Sequence, residues 1–147
     1  MGNSITVTKA ADSVRVDLAP SAARIISGTS PSSAGLVGVE AFTSADVALL
    51  VTAATGTSPT LDVYIQKLLP DGATWVDLIH FTQATGAVVR WVSVVGTAMS
   101  ADIAVQDAAL TVATVRAALL GSVWRVKYVI GGTNPSFTFQ VGAEFYA

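Results

Sequence analysis

A side-chain period of two, interrupted at short intervals by turn-forming residues, constrains this chain more than any other feature. Leu61, Val63 and Ile65 fall on one side of an extended segment while Asp62, Tyr64 and Gln66 fall on the other. The same alternation runs through Gly86 to Val95, where Val88, Arg90, Val92 and Val94 oppose Val89, Trp91, Ser93 and Val95, with both faces at least partly covered. In Val123 to Ile130, Trp124, Val126, Tyr128 and Ile130 oppose Val123, Arg125, Lys127 and Val129. Ser136 to Val141 then sets Phe137, Phe139 and Val141 on one side. β-Branched and aromatic residues at this spacing fit a pleated, half-buried surface rather than a helix. Further strands are expected at Ile5 to Lys9, Ser13 to Leu18, Leu36 to Phe42, Asp46 to Ala54 and Thr74 to Thr82.

The punctuation supports the same reading. Pro70, Asp71 and Gly72 form a turn, which predicts a hairpin between residues 60 and 82. Thr55 to Pro59 is expected to break the chain. Gly131 to Pro135 is expected to turn it, giving a second hairpin between 123 and 142. Ser100 to Leu120 carries mixed signals and is expected to be a loop with at most one helical turn, followed by a strand. The sum is roughly eight to ten strands in an antiparallel, jelly-roll-like β-sandwich. No internal repeat or domain boundary stands out. The weakest seam is residues 27–35, so residues 1–35 are expected to form an N-terminal arm and loop, with room to contribute strands, ahead of a sandwich domain over 36–147.

Composition narrows the function classes. Hydrophobic residues make up 52% of the 147 and charged residues 12%, about half the usual charged share. Mean hydropathy is +0.60, yet the longest charge-free run, Tyr128 to Ala143, contains Gly131, Gly132, Asn134 and Pro135, so no helical membrane span is expected. The start of the chain shows no basic region followed by an apolar block, and Gly2 to Thr6 meets the myristoylation pattern only in its loosest form. A net charge of −2 with eight scattered basic residues leaves no footprint for nucleic acid or anionic lipid. A small globule has limited interior, so the apolar surplus points to contacts between subunits.

The chemistry-bearing residues have simpler explanations than catalysis. Cysteine is absent, which removes thiolate ligands, Cys nucleophiles and disulfides. His80 is the single histidine and is expected to face solvent or a subunit interface. It has no Gly-x-Ser-x-Gly nucleophile context and no partners for a metal beyond carboxylates. Asp62, Asp71 and Asp77 could approach one another across the first hairpin. Asp62 suits a polar strand face, Asp71 a turn with Gly72, and Asp77 an outward position, and no calcium loop is present. Gly131 and Gly132 lie between strands and form no phosphate loop. Trp75, Trp91 and Trp124 invite a sugar-stacking reading, but alternation places at least Trp124 among inward residues, and core packing is the preferred reading. No catalytic, metal or cofactor-binding residue is assigned.

Three stretches together carry a resemblance. They are Leu61 to Gln66 followed by Pro70-Asp71-Gly72-Ala73-Thr74-Trp75, then Phe81-Thr82-Gln83-Ala84-Thr85-Gly86, then Trp124-Arg125-Val126-Lys127-Tyr128 with Gly131-Gly132-Thr133-Asn134-Pro135-Ser136-Phe137-Thr138-Phe139. Over residues 36–142 this combination resembles small virion proteins of tailed bacteriophages, in particular β-sandwich decoration or cement proteins on the outside of capsids. The Asp71 to Trp75 piece is also similar to the Asp-box hairpin of sialidases, but its interval is one residue shorter and it has no second copy, so a propeller is excluded.

The resemblance implies a non-enzymatic protein of the capsid exterior, without cofactor, commonly trimeric, that bridges major capsid protein subunits. A tail or neck component, or a carbohydrate- or receptor-binding module, are the alternatives. Subunit or capsid contacts are expected on the arm and the following loop, at Ile5, Val7, Val14, Val16, Leu18, Ser30 and Pro31, because these have no place in the two hairpins.

Overall fold

The computed structural model describes residues 5–6, 12–31, 34–96, 102 and 104–147, and Val7 lies outside them. It is all-β, with nine described strands: β1 (Ile5–Thr6), β2 (Ser13–Arg24), β3 (Gly28–Ser30), β4 (Leu36–Val37), β5 (Ser44–Leu68), β6 (Trp75–His80), β7 (Val88–Val95), β8 (Thr114–Val115) and β9 (Val123–Tyr146). A single 3-10 turn, Val39–Ala41, accompanies them among the described residues. The strands form one mixed, open sheet in which β1 pairs parallel to β4 and the remaining pairs are antiparallel. No helix of the described residues is long and apolar enough to cross a membrane.

The organising unit is a two-stranded ribbon. β5 and β9 pair antiparallel over nearly their whole lengths, from Ser44 opposite Tyr146 to Lys67 opposite Trp124. A straight strand would hold Trp124 and Phe145 about 70 Å apart, yet their ring centroids lie 5.1 Å apart. Tyr128 and Phe139 meet edge to face at 5.3 Å. The ribbon is therefore folded back on itself, and its halves face each other across the core. One half carries β2 and β7 on its flanks; the other carries β3, β4 and β6, with β8 beyond. Leu49, Phe139, Val141 and Phe145 from the first half, and Val63, Ile65, Trp124 and Val126 from the second, are fully buried in one cluster. Each such side chain contributes on the order of 1.5–3 kcal/mol. The buried indole N–H of Trp124 donates to the Leu120 carbonyl at 2.7 Å.

The bend is built from a four-residue motif used twice. Gly56-Thr57-Ser58-Pro59 in β5 and Gly132-Thr133-Asn134-Pro135 in β9 meet at the pair Thr57 and Thr133. Gly56 and Gly132 adopt φ of 109° and 110°, and Ser58 and Asn134 φ of 49° and 50°. The environments are reciprocal. A Cβ on Gly56 would lie 2.7 Å from the Asn134 carbonyl oxygen, and one on Gly132 would lie 2.8 Å from that of Ser58. A local two-fold therefore relates the two strands where the register shifts.

The predicted hairpin between residues 60 and 82 is present, with β5 and β6 paired from Tyr64 opposite His80 to Leu68 opposite Trp75. The predicted break at Thr55 to Pro59 and the hairpin between 123 and 142 are corrected. Both Gly-Thr-x-Pro segments continue their strands, because 124–130 and 136–146 find partners on β5 rather than on each other. The expected arm is in part a sheet strand: β2 pairs with β9 from Ser13 opposite Tyr146 to Arg24 opposite Phe137. The described part of 100–120 is loop with the short strand β8.

Candidate functional site

The most conspicuous surface lies on β7. Its alternation sends Val88, Arg90, Val92 and Val94 inward and leaves Val89, Trp91 and Val95 63%, 68% and 65% exposed. Both faces of this strand were expected to be partly covered; one is open. Trp91 stands opposite Ala48, which in turn pairs with Gly142. Neighbours this small cannot screen an indole. Beside them Asp46 accepts hydrogen bonds from Ser93 Oγ at 2.5 Å and Tyr146 Oη at 3.0 Å. These bonds, Ser93's foremost, hold the Asp46 carboxyl below its ordinary range, and the Asp46 bond pushes the Tyr146 phenol up to about 12. A shallow trough of about 230 Å³ runs over Gly142 between Arg15 and Asp46. More apolar surface is exposed at Ile25 and Ile26, 67% and 73%, between β2 and β3.

Of the polar groups singled out in the sequence, His80, Asp62 and Asp77 lie elsewhere, at the segment 104–116, which packs on β5, β6 and β9. His80 is buried, contrary to expectation. It stacks on Tyr64 with ring centroids 3.9 Å apart. Its Nδ1 lies 2.7 Å from the Leu110 carbonyl and its Nε2 2.9 Å from Asp62 Oδ1. Both ring nitrogens are thus engaged by oxygens of the chain itself, one a backbone carbonyl and one a carboxylate. Asp77 does not alternate outward but is fully buried, accepting from Gln66 Nε2 at 2.7 Å and from the backbone N–H groups of Ala108 at 3.2 Å and Leu110 at 2.8 Å.

Gln66 also donates to Asp107 at 2.6 Å and accepts from Arg125 Nε at 2.7 Å. Arg125 lies over the Trp75 ring at 4.3 Å, and Lys127 bonds Asp107. Asp62, Asp71 and Asp77 thus form no carboxylate pair: Asp62 serves His80 and Gln83, Asp71 accepts from Ala73 and Thr74 in its turn, and Asp77 fastens the loop. No group of three metal-ligating side chains occurs among the described residues.

This network makes an acid-sensitive clasp. Desolvation pushes the Asp107 carboxyl up, but the bonds from Lys127 and Gln66 and the charges of Lys127 and Arg125 outweigh it and hold the carboxyl below its ordinary range. A carboxyl depressed in the folded state stabilises fully above its unfolded value, about pH 4, and loses that contribution as pH falls through the folded value. Asp107→Asn is therefore expected to flatten the loss of stability on acidification below about pH 4. Urea midpoints measured across pH 2.5–6 check this; an unaltered acid limb would refute it.

The residues expected to make intermolecular contacts are dispersed. Leu18 and Ser30 come together, with Ser30 Oγ donating to the Leu18 carbonyl at 2.7 Å, and both are buried within the chain. Val14 and Val16 pack against the same core. Ile5 is partly exposed beside Leu36, and Pro31 is half-buried. The exposed β7 stripe was not among the expected contacts. Alternating valines around Trp91 were its only signal in the sequence, and they do not tell an open face from a covered one.

Comparison with protein-family models, with curated proteins and with solved structures finds no match to this chain.

Proposed function

We propose that the chain is a structural protein of tailed-bacteriophage particles: a jelly-roll-like β-sandwich that decorates the capsid exterior as an oligomer, in our reading a trimer, and bridges major capsid protein subunits. The observation that carries this reading is the open apolar stripe Val89, Trp91 and Val95. Apolar area left facing water in a chain so poor in charge is stabilised by burial against another protein surface. The folded-back ribbon and the resemblance in the 61–86 and 124–139 segments support the virion assignment. A shell strained by packaged DNA gains strength from such a bridge, because separating its subunits then exposes the bridging interface as well.

Light scattering of the isolated protein, followed by co-sedimentation with undecorated tailed-phage capsids, tests the proposal. The expected result is an oligomer that saturates the shells. Trp91→Glu, at a position where the fold does not use the side chain for its core, is expected to weaken shell binding at least about 30-fold, the scale of a central aromatic anchor. A monomer indifferent to shells would overturn the reading.

One observation favours a second reading as a glycan-binding module: Trp91 stands exposed beside Asp46 and the trough bounded by Arg15. Affinity for immobilised glycans, lost in Trp91→Ala with shell binding absent, would select it.

A further inference from the structure

Arg90 is the anomaly of the β7 region. It sits on the inward side of its strand, opposite the fully buried Leu49, where Val88, Val92 and Val94 are its neighbours in the alternation. Its Nε is buried and has no hydrogen-bond partner, and no ion pair or hydrogen bond involves its guanidinium among the described residues. The other described arginines are all engaged: Arg15 with Glu144, Arg24 and Arg116 with backbone carbonyls, and Arg125 with Gln66 and Asp107. A guanidinium held on the inward side of a strand without a counter-charge costs free energy, which points to an anionic acceptor from outside the chain.

The space for that acceptor exists. Arg90 lines a cavity of about 140 Å³ with Phe81, Thr82, Val92, Thr114 and Val115, between β7 and β8. The guanidinium's remaining nitrogens are not buried, and their N–H donors suit the two oxygens of a carboxylate. Walls of Phe81, Val92 and Val115 favour a singly charged group on an apolar stem over a more strongly hydrated phosphate. β7 pairs with β5 alone, so its other edge is free among the described residues. An inward charge on a free edge discourages indiscriminate strand pairing and admits a strand that brings the complementary charge.

We propose that Arg90 is the receptor for a carboxylate carried by an Asp or Glu on an extended segment of a partner protein, laid along the free edge of β7. The proposal rests on the assembly reading for the class of partner, while carboxylate binding itself can be measured without it.

The test is an NMR titration of the native full-length chain with sodium acetate, observing arginine Nε–Hε signals, with sodium chloride as the ionic-strength control. The Arg90 signal is expected to shift and saturate with acetate and to stay in place with chloride. A short valine-rich peptide with a central glutamate is then expected to bind about tenfold or more tightly than its glutamine counterpart, with Arg90→Gln erasing the difference. No saturable acetate shift at Arg90 overturns the proposal, leaving the residue only an edge-protecting charge. Acetate binding without peptide discrimination overturns the partner-segment assignment. The titration on the native chain decides even if Arg90→Gln does not fold. Acetate binding alongside failure to bind shells would strike the virion reading alone.

Discussion

Gly132→Ala is expected to destabilise the protein by about 2–4 kcal/mol, and Gly56→Ala by a similar amount, because each places a Cβ in a conformation and a space that exclude it. The φ values near +110° are strained for any L side chain, and the new methyl would lie within 3 Å of backbone atoms of the opposite strand. Backbone on a paired strand cannot move aside as a flexible side chain can. For a domain of this size the loss corresponds to a fall in melting temperature of about 5–12 °C. The double variant is expected to cost less than the sum, since both substitutions strain one crossing and a ribbon opened for the first has already yielded to the second. Gly72→Ala, with nothing within 4 Å of its Cβ, controls for positive φ without a clash and should cost less. Thermal and urea denaturation of the four variants measure this; Gly132→Ala within 0.5 kcal/mol of the parent would refute the account of the bend.

Asp77→Ala is expected to cost about 3 kcal/mol and to free the 104–116 segment from the sheet. The carboxylate is fully buried and satisfies the Ala108 and Leu110 N–H groups as well as Gln66. Truncation leaves the Ala108 and Leu110 N–H groups without an acceptor, while Gln66 keeps Asp107, and removes a buried tie between the loop and β6. Backbone bonds such as Arg116 N–H to the Leu78 carbonyl at 2.7 Å remain, so the loop should open locally before the chain unfolds. The expected signature is new protease cleavage between residues 104 and 116 under native conditions, together with a lower urea midpoint. Equal stability with an unchanged cleavage pattern would show that the loop is held by its apolar contacts instead.

The strand faces were legible in the sequence because alternation is local. Leu61, Val63 and Ile65 are inward, Trp124 and Val126 are in the core, and the Asp71 turn sits where its residues placed it. Gly-Thr-x-Pro is legible as punctuation, but the expected break at 55–59 and turn at 131–135 are both bends of continuous strands. Glycine with proline marks a departure from regular backbone, and only the partner strand decides whether that departure reverses a chain or bends a ribbon. The side of Asp62, Tyr64 and Gln66 reads only as the polar face of its strand, since nothing local shows that a segment 40 residues later lies over it. His80 and Asp77 were misplaced for the same reason. Arg90 gave no signal at all, because an arginine among valines on a strand reads alike whether its nitrogen is solvated or orphaned.

By itself, then, the sequence determined that the chain is all-β, which side the apolar residues of 61–65, 124–126 and 137–141 face, and where the first hairpin closes. Tertiary structure alone decided that β5 and β9 pair along their length and fold back together, what lies over Asp77 and His80, and that Trp91 is left open. The physical reason is range. Side-chain alternation and turn geometry act over a few residues, whereas pairing Ser44 with Tyr146 or seating Leu110 on Asp77 depends on backbone and packing partners that a local pattern does not specify.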